Sequence, residues 1–193
     1  MHLVTGGSAS GKSAYAEQQV LELSAEQRRL ETSFAYTETF PRRYYLATMR
    51  PWGDEGKQRV EKHQKMRQEK GFTTIECYHS LEALELPEHH STLLLECLSN
   101  LLANEQFEIG GTDQEICDRI ERGILHLQKQ TEHLIIVTNE VFSDGVSYED
   151  ETERFIRLLG AMNVRLASLA DRVTEVVYGI PVPVKPVRNL TEK

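Results

Sequence analysis

The chain has 193 residues, 39% hydrophobic and 27% charged, a composition that suits one soluble globular domain with a real core. Its 22 Lys and Arg against 30 Asp and Glu leave a net charge of −8, which argues against a nucleic-acid partner held by a broad basic surface. No apolar run approaches the ~18 residues that a membrane span needs. The opening MHLVTGG carries no signal-peptide pattern, so a cytoplasmic location is the expectation. Cys77, Cys97 and Cys117 form no CxxC pair; they read as reduced thiols and offer no short-range zinc pair.

In chain order, a short apolar run at 2–5 leads straight into glycines, and a helical pattern follows from Lys12 to about Arg28. The segment 24–43 is polar and aromatic without clear period, and reads equally as a loop or as a helix extension. The chain then alternates. YYLAT (44–48) reads as a strand, 54–70 as a polar helix, TTIEC (73–77) as a strand, and TLLLEC (92–97) as a fully apolar strand ending in a carboxylate. Helical spacing runs through 113–130, LIIVT (134–138) is a buried strand ending at Asn139 and Glu140, 150–169 is an amphipathic helix, and 173–178 is a last strand. The ending IPVPVKPVRNLTEK, with three prolines, is expected to leave the core. Apolar strands alternating with helices predict a mainly parallel sheet covered on both faces. Ligands of such sheets bind beyond the carboxyl ends of the strands, where Gly6, Glu96, Asn139 and Glu140 fall.

The strongest motif is GGSASGKS: Gly6, Gly7, Ser8, Ala9, Ser10, Gly11, Lys12 and Ser13. It fits G-x-x-x-x-G-K-[ST] in full, with a strand before it and a helix after it. The glycines let successive backbone N–H groups turn toward phosphate oxygens, and the helix N-terminus adds partial positive charge. Lys12 is placed for the β- and γ-phosphates and the Ser13 hydroxyl for Mg²⁺. The chain is therefore expected to bind a nucleoside triphosphate, as one P-loop domain over 1–185 with a tail at 186–193. The guanine-reading N/T-K-x-D loop of regulatory GTPases is absent, since the corresponding strand ends VTNEV. The usual Walker B aspartate is missing; TLLLEC offers Glu96 at its strand end, to hold Mg²⁺ or to serve as a cap or salt-bridge partner there.

RVEKHQKMRQEK (59–70) places His63 among Lys62, Lys65, Arg67 and Lys70. Taken alone, this is a solvated helix face with an incidental histidine. His2, His79, His89, His90, His126 and His133 have equally ordinary settings.

Several separated pieces match one family together: TGGSASGKS, YYLAT, RVEKHQKMR, TIEC, LLLECLSNLLAN, VTNEV and FIRLLGAMNVRLASLADRVTEVVYGI. Over roughly residues 2–185 the chain resembles the bifunctional adenosylcobinamide kinase and adenosylcobinamide-phosphate guanylyltransferases of cobalamin assembly. The resemblance implies a RecA-like α/β fold, a homotrimer and two reactions. In one, adenosylcobinamide is phosphorylated on its aminopropanol hydroxyl with ATP or GTP. In the other, GMP passes from GTP to adenosylcobinamide phosphate through a guanylylated histidine, which falls on His63. Nucleotide contacts fall on residues 6–13, on Ala47, Thr48 and Met49, on Gln64, Lys65, Met66 and Arg67, and on Glu76 and Glu96. Lys12 joins His63 in catalysis, and Ser13 and Glu96 hold Mg²⁺.

A neutral imidazole is a competent nucleophile toward an α-phosphorus, and nearby cations favour the neutral form. The distance in sequence between His63 and the phosphate loop leads us to expect that 54–70 folds over the nucleotide during transfer. The chain departs from the family pattern after VTNEV, where Phe142, Ser143 and Asp144 replace Gly-x-Gly, and at Gln68, where proline is usual. Two other readings stay open: a P-loop kinase for a different small alcohol, and a nucleotide-binding protein without transfer chemistry.

Overall fold

A computed structural model describes residues 1–34, 42–51, 61, 67–88, 90–141 and 148–185. Most of the predicted helix 54–70, with His63, Gln64, Lys65 and Met66, lies outside them, as do 142–147, the tail 186–193 and His89.

Among the described residues, seven strands form one sheet: β1 (His2–Thr5), β2 (Arg43–Ala47), β3 (Phe72–Glu76), β4 (Ser91–Glu96), β5 (Thr131–Val137), β6 (Arg172–Val177) and β7 (Ile180–Lys185). The spatial order is β3-β2-β4-β5-β1-β6-β7; every pairing is parallel except β6 with β7. The predicted α/β fold with a mainly parallel sheet is therefore present. The strand feeding the phosphate loop, β1, is separated from the Glu96 strand, β4, by β5 alone.

The helices are α1 (Lys12–Phe34), α2 (Leu98–Asn104), α3 (Asp113–Gln130) and α4 (Asp150–Leu169). Alternate strand residues point to opposite faces, so each central strand feeds two cores. Leu93, Leu95, Leu134 and Ile136 pack with Leu101, Ile120, Ile124, Leu159 and Met162 of α2, α3 and α4. Leu94, Ile135, Val137, Val4 and Val176 pack with Ala16 and Val20 of α1. Burial on both faces explains why β4 and β5 read as unbroken apolar runs.

Two expectations are refined, and one stretch of helix was not foreseen. The helix starting at Lys12 runs on to Phe34, so the first part of 24–43 is a helix extension. The α2 turn and the π-helical turn after it, Glu105–Ile109, carried no periodic signal. The C-terminal segment, expected to leave the core, is exposed along most of 180–185 but still pairs antiparallel with β6. Pro181 and Pro183 are tolerated there because β7 is an edge strand, with one side free of ladder bonds. Lys185 secures it by donating to the carbonyls of Ala167, Ser168 and Ala170 at the end of α4, at 3.1, 3.1 and 2.5 Å.

Candidate active site

The phosphate loop leaves β1 at Gly6 and enters α1 at Lys12. Gly6 has φ +153°, and a Cβ there would lie 2.5 Å from the Val176 carbonyl oxygen on β6. Gly11 has φ +91°, and a Cβ on it would approach the Gly179 Cα at 3.2 Å. The Gly179 N–H donates to the Ser10 carbonyl at 2.7 Å. Both fixed glycines are thus demanded by the β6–β7 hairpin as well as by the phosphates.

Lys12 is only 9% exposed and its ammonium donates to the Gly7 carbonyl at 2.9 Å. Burial lowers its pKa, while Cys97 and Glu96 pull the other way. An ammonium held over the loop is positioned to exchange that carbonyl for a phosphate oxygen.

Glu96 ends β4 beside the loop. One carboxylate oxygen accepts from the Ser13 hydroxyl at 2.5 Å and the other from the Tyr45 hydroxyl at 3.0 Å. The Tyr45 ring carries the Arg67 guanidinium 3.7 Å above its centre. Burial and then the Glu96 charge raise the Tyr45 pKa, so the phenol stays protonated and donates. Arg67 is 7% exposed, and its Nε has no hydrogen-bond partner among the described residues. The Ser10 hydroxyl in the loop is buried in the same condition.

Ser13, Tyr45, Arg67 and Glu96 line a cavity of about 550 Å³, within the range of small-molecule sites. Among the residues assigned to the site from the sequence, those lining it are Ala9 and Ser13 of the loop, Ala47 and Met49 at the end of β2, Glu76 at the end of β3, and Glu96. Arg67, assigned through the histidine segment, joins them on the cavity wall.

Residues 2–184 match the family described as cobinamide kinase / cobinamide phosphate guanyltransferase. The chain belongs to that family. It is 32% identical over 199 residues to the "Bifunctional adenosylcobalamin biosynthesis protein CobU" of Salmonella typhimurium, covering 96% of this chain and 99% of that protein. The protein of the same name from Escherichia coli is 31% identical over the same shares of the two chains. Among solved structures, the flagellar accessory protein FlaH from Methanocaldococcus jannaschii superimposes on 96% of this chain and 78% of its own with a TM-score of 0.47 and 10% identity.

As a cobinamide kinase and guanyltransferase, this chain is a nucleotide-using transferase of adenosylcobalamin biosynthesis. Thr48, placed among the nucleotide contacts by the resemblance, also has a bracing role in the fold. Its side chain is fully buried; the hydroxyl donates to the Cys97 carbonyl at 2.8 Å and accepts from the Cys97 N–H at 2.7 Å. It braces the strand end that carries Glu96 and does not line the cavity.

Four cavity or bracing residues escaped the sequence assignment. Tyr45, Cys97 and Asn100 line the cavity. Asn104 donates to the Thr48 and Tyr78 carbonyls at 2.8 and 2.9 Å, tying together the chain ends after β2 and β3. YYLAT and LLLECLSNLLAN contain all four, but strand alternation alone does not tell which tyrosine faces the loop.

An oxygen donor set of hydroxyl and carboxylate suits a hard cation such as Mg²⁺. Ser13 spends its proton on Glu96, which leaves its lone pairs for such an ion. The pair therefore fits the predicted metal role.

Proposed function

We propose that this chain transfers GMP from GTP to adenosylcobinamide phosphate through a guanylylated His63, and phosphorylates adenosylcobinamide at the same nucleotide site. The observation that carries the reading is Arg67 stacked on Tyr45 beside Glu96 and the phosphate loop. Arg67 follows His63 by four residues, so the end of the histidine segment is a wall of the nucleotide cavity.

In this reading the loop amides and Lys12 hold the β- and γ-phosphates and draw charge from the departing pyrophosphate. Bound at Ser13 and Glu96, Mg²⁺ would neutralise phosphate charge. A neutral His63 nitrogen attacks the α-phosphorus, the bond to the bridging oxygen breaks, and pyrophosphate leaves with the electron pair. The other ring nitrogen then gives up its proton to solvent. A phosphate oxygen of adenosylcobinamide phosphate next attacks the guanylyl phosphorus, the P–N bond breaks, and the ring takes a proton back from solvent as it leaves as neutral imidazole. Arg67 supplies positive charge to the α-phosphate from the cavity wall. Gln64, Lys65 and Met66 belong to the same nucleotide contact. We place the enzyme in the cytoplasm as a homotrimer, a state that sedimentation equilibrium measures directly.

The test is incubation with Mg²⁺ and GTP labelled on the α-phosphate. Acid-labile, base-stable label on the protein is expected, and His63→Ala should remove it. Folded, nucleotide-binding protein that never takes label sinks the covalent step. Label that survives in His63→Ala moves it to another residue. Adenosylcobinamide with γ-labelled ATP or GTP reads out the kinase step.

A further inference from the structure

The phosphate loop borders a second cavity, of about 590 Å³, which shares no lining residue with the first. Gly7 and Ser8 form its loop side, Glu140 lies just beyond the end of β5, and Tyr148, Phe155 and Ile156 come from the entry and first turns of α4. The ladder between β1 and β5 extends past both strands. Thr138 donates its amide to the Val4 carbonyl at 2.9 Å, and Glu140 donates its amide to the Gly6 carbonyl at 3.1 Å. Glu140 is thereby fixed at the first residue of the loop.

The Lys12 ammonium rests on the carbonyl of Gly7, a residue that also lines this second cavity. That ammonium is the group in such loops that meets the terminal phosphates. The Lys12 ammonium thus brings the terminal-phosphate position of the loop next to Gly7, at the edge of the second cavity.

We infer that the second cavity is the acceptor site of the kinase step, with Glu140 as general base; this rests on the kinase activity proposed above. The hydroxyl-bearing arm of cobinamide enters beside Glu140. The apolar wall of Tyr148, Phe155 and Ile156 covers a methyl- and methylene-rich edge of the macrocycle, whose bulk stays outside a space of this size. The acceptor oxygen attacks the γ-phosphorus and its proton passes to the Glu140 carboxylate. The bond from the γ-phosphorus to the β-bridging oxygen breaks, and the nucleoside diphosphate leaves with that electron pair. Glu140 returns its proton to water.

The full-length protein is assayed for phosphorylation of cobinamide and, separately, for nucleotide affinity by titration calorimetry. Ile156→Trp fills the cavity and should raise the KM for cobinamide at least about tenfold while nucleotide Kd stays within about twofold. Tyr148→Ala, at an exposed position, should raise the same KM and serves if Ile156→Trp does not fold. Glu140→Gln should lower kcat about 100-fold and remove the acidic limb of the pH profile, with nucleotide Kd unchanged. Variants at Tyr148 and Ile156 that keep the wild-type KM for cobinamide overturn the acceptor site, and a Glu140→Gln enzyme with wild-type kcat overturns the base. Wild-type protein that binds nucleotide yet phosphorylates no cobinamide refutes the kinase reading itself. Active wild-type with unaffected variants refutes only the cavity.

Discussion

Gly179 donates its backbone N–H to the Ser10 carbonyl at 2.7 Å, so the hairpin near the C-terminus clamps the phosphate loop near the N-terminus. The same hairpin sets how closely the loop lies on β6, because Gly6 and Gly11 leave no room for a Cβ toward Val176 and Gly179. Gly6→Ala should therefore displace the loop rather than unfold the sheet. Nucleotide affinity should fall at least about tenfold, or ~1.4 kcal/mol, with the far-UV spectrum unchanged. Wild-type affinity in a fluorescent-nucleotide titration would contradict the clamp.

Tyr45 serves Glu96 with its hydroxyl and Arg67 with its ring, and the two roles separate by substitution. Tyr45→Phe removes one hydrogen bond to a carboxylate, a loss of roughly 1.5 kcal/mol, and should lower kcat/KM about tenfold with Arg67 still stacked. Tyr45→Leu removes the ring as well and should cost further activity at the guanylyl-transfer step. Equal losses in the two variants would mean that the stacking of Arg67 contributes nothing.

Glu96 is the carboxylate that meets Ser13, so its charge bears on the metal. Glu96→Gln keeps the shape and should raise the Mg²⁺ concentration for half-maximal activity by about tenfold. Chelation of Mg²⁺ should abolish label transfer to the wild-type protein. A Glu96→Gln enzyme with an unchanged Mg²⁺ profile would remove Glu96 from the metal site.

Thr48 distinguishes bracing from nucleotide contact. Thr48→Val matches its volume but loses both bonds to the Cys97 backbone and strands buried backbone groups. Stability should drop by about 2 kcal/mol, or roughly 4–8 °C in Tm for a chain of this size. Nucleotide affinity at a temperature well below Tm should change less than about threefold. A large affinity loss with unchanged Tm would return Thr48 to the nucleotide contacts.

His2 is 7% exposed and shares a hydrogen bond of 2.9 Å with the Thr174 hydroxyl. Burial, then Arg172 and the N-terminal ammonium, lower its pKa from 6.5 to about 4. The ring is neutral in the fold, whereas the unfolded chain takes up a proton below 6.5. The unfolded state binds more protons between those values, so stability falls as pH drops from about 6.5 to about 4, by on the order of 3 kcal/mol at most. Thermal melts of His2→Gln should show a flatter slope across that window. Parallel slopes for the two proteins would assign the acid sensitivity elsewhere.

The amino-acid sequence by itself determined the phosphate loop, the alternation of elements and the two-sided burial of the sheet. Those are local signals: a fixed spacing of glycines, lysine and serine, and unbroken apolar runs such as those of β4 and β5. It also marked Glu96, because strand ends in a parallel sheet converge on one edge, whereas Ala47, Met49 and Glu76 followed only from the family resemblance. The pairing of β7 was not legible, since Pro181 and Pro183 argue against a strand until its edge position is known. Only the tertiary structure decided which of Tyr44 and Tyr45 reaches Glu96, that Thr48 turns inward, and that Arg67 lies on the Tyr45 ring. Each depends on the register between strands and on packing across long sequence separations. Periodicity specifies that a residue faces one side or the other, and only the neighbouring strand and helix specify what it meets there.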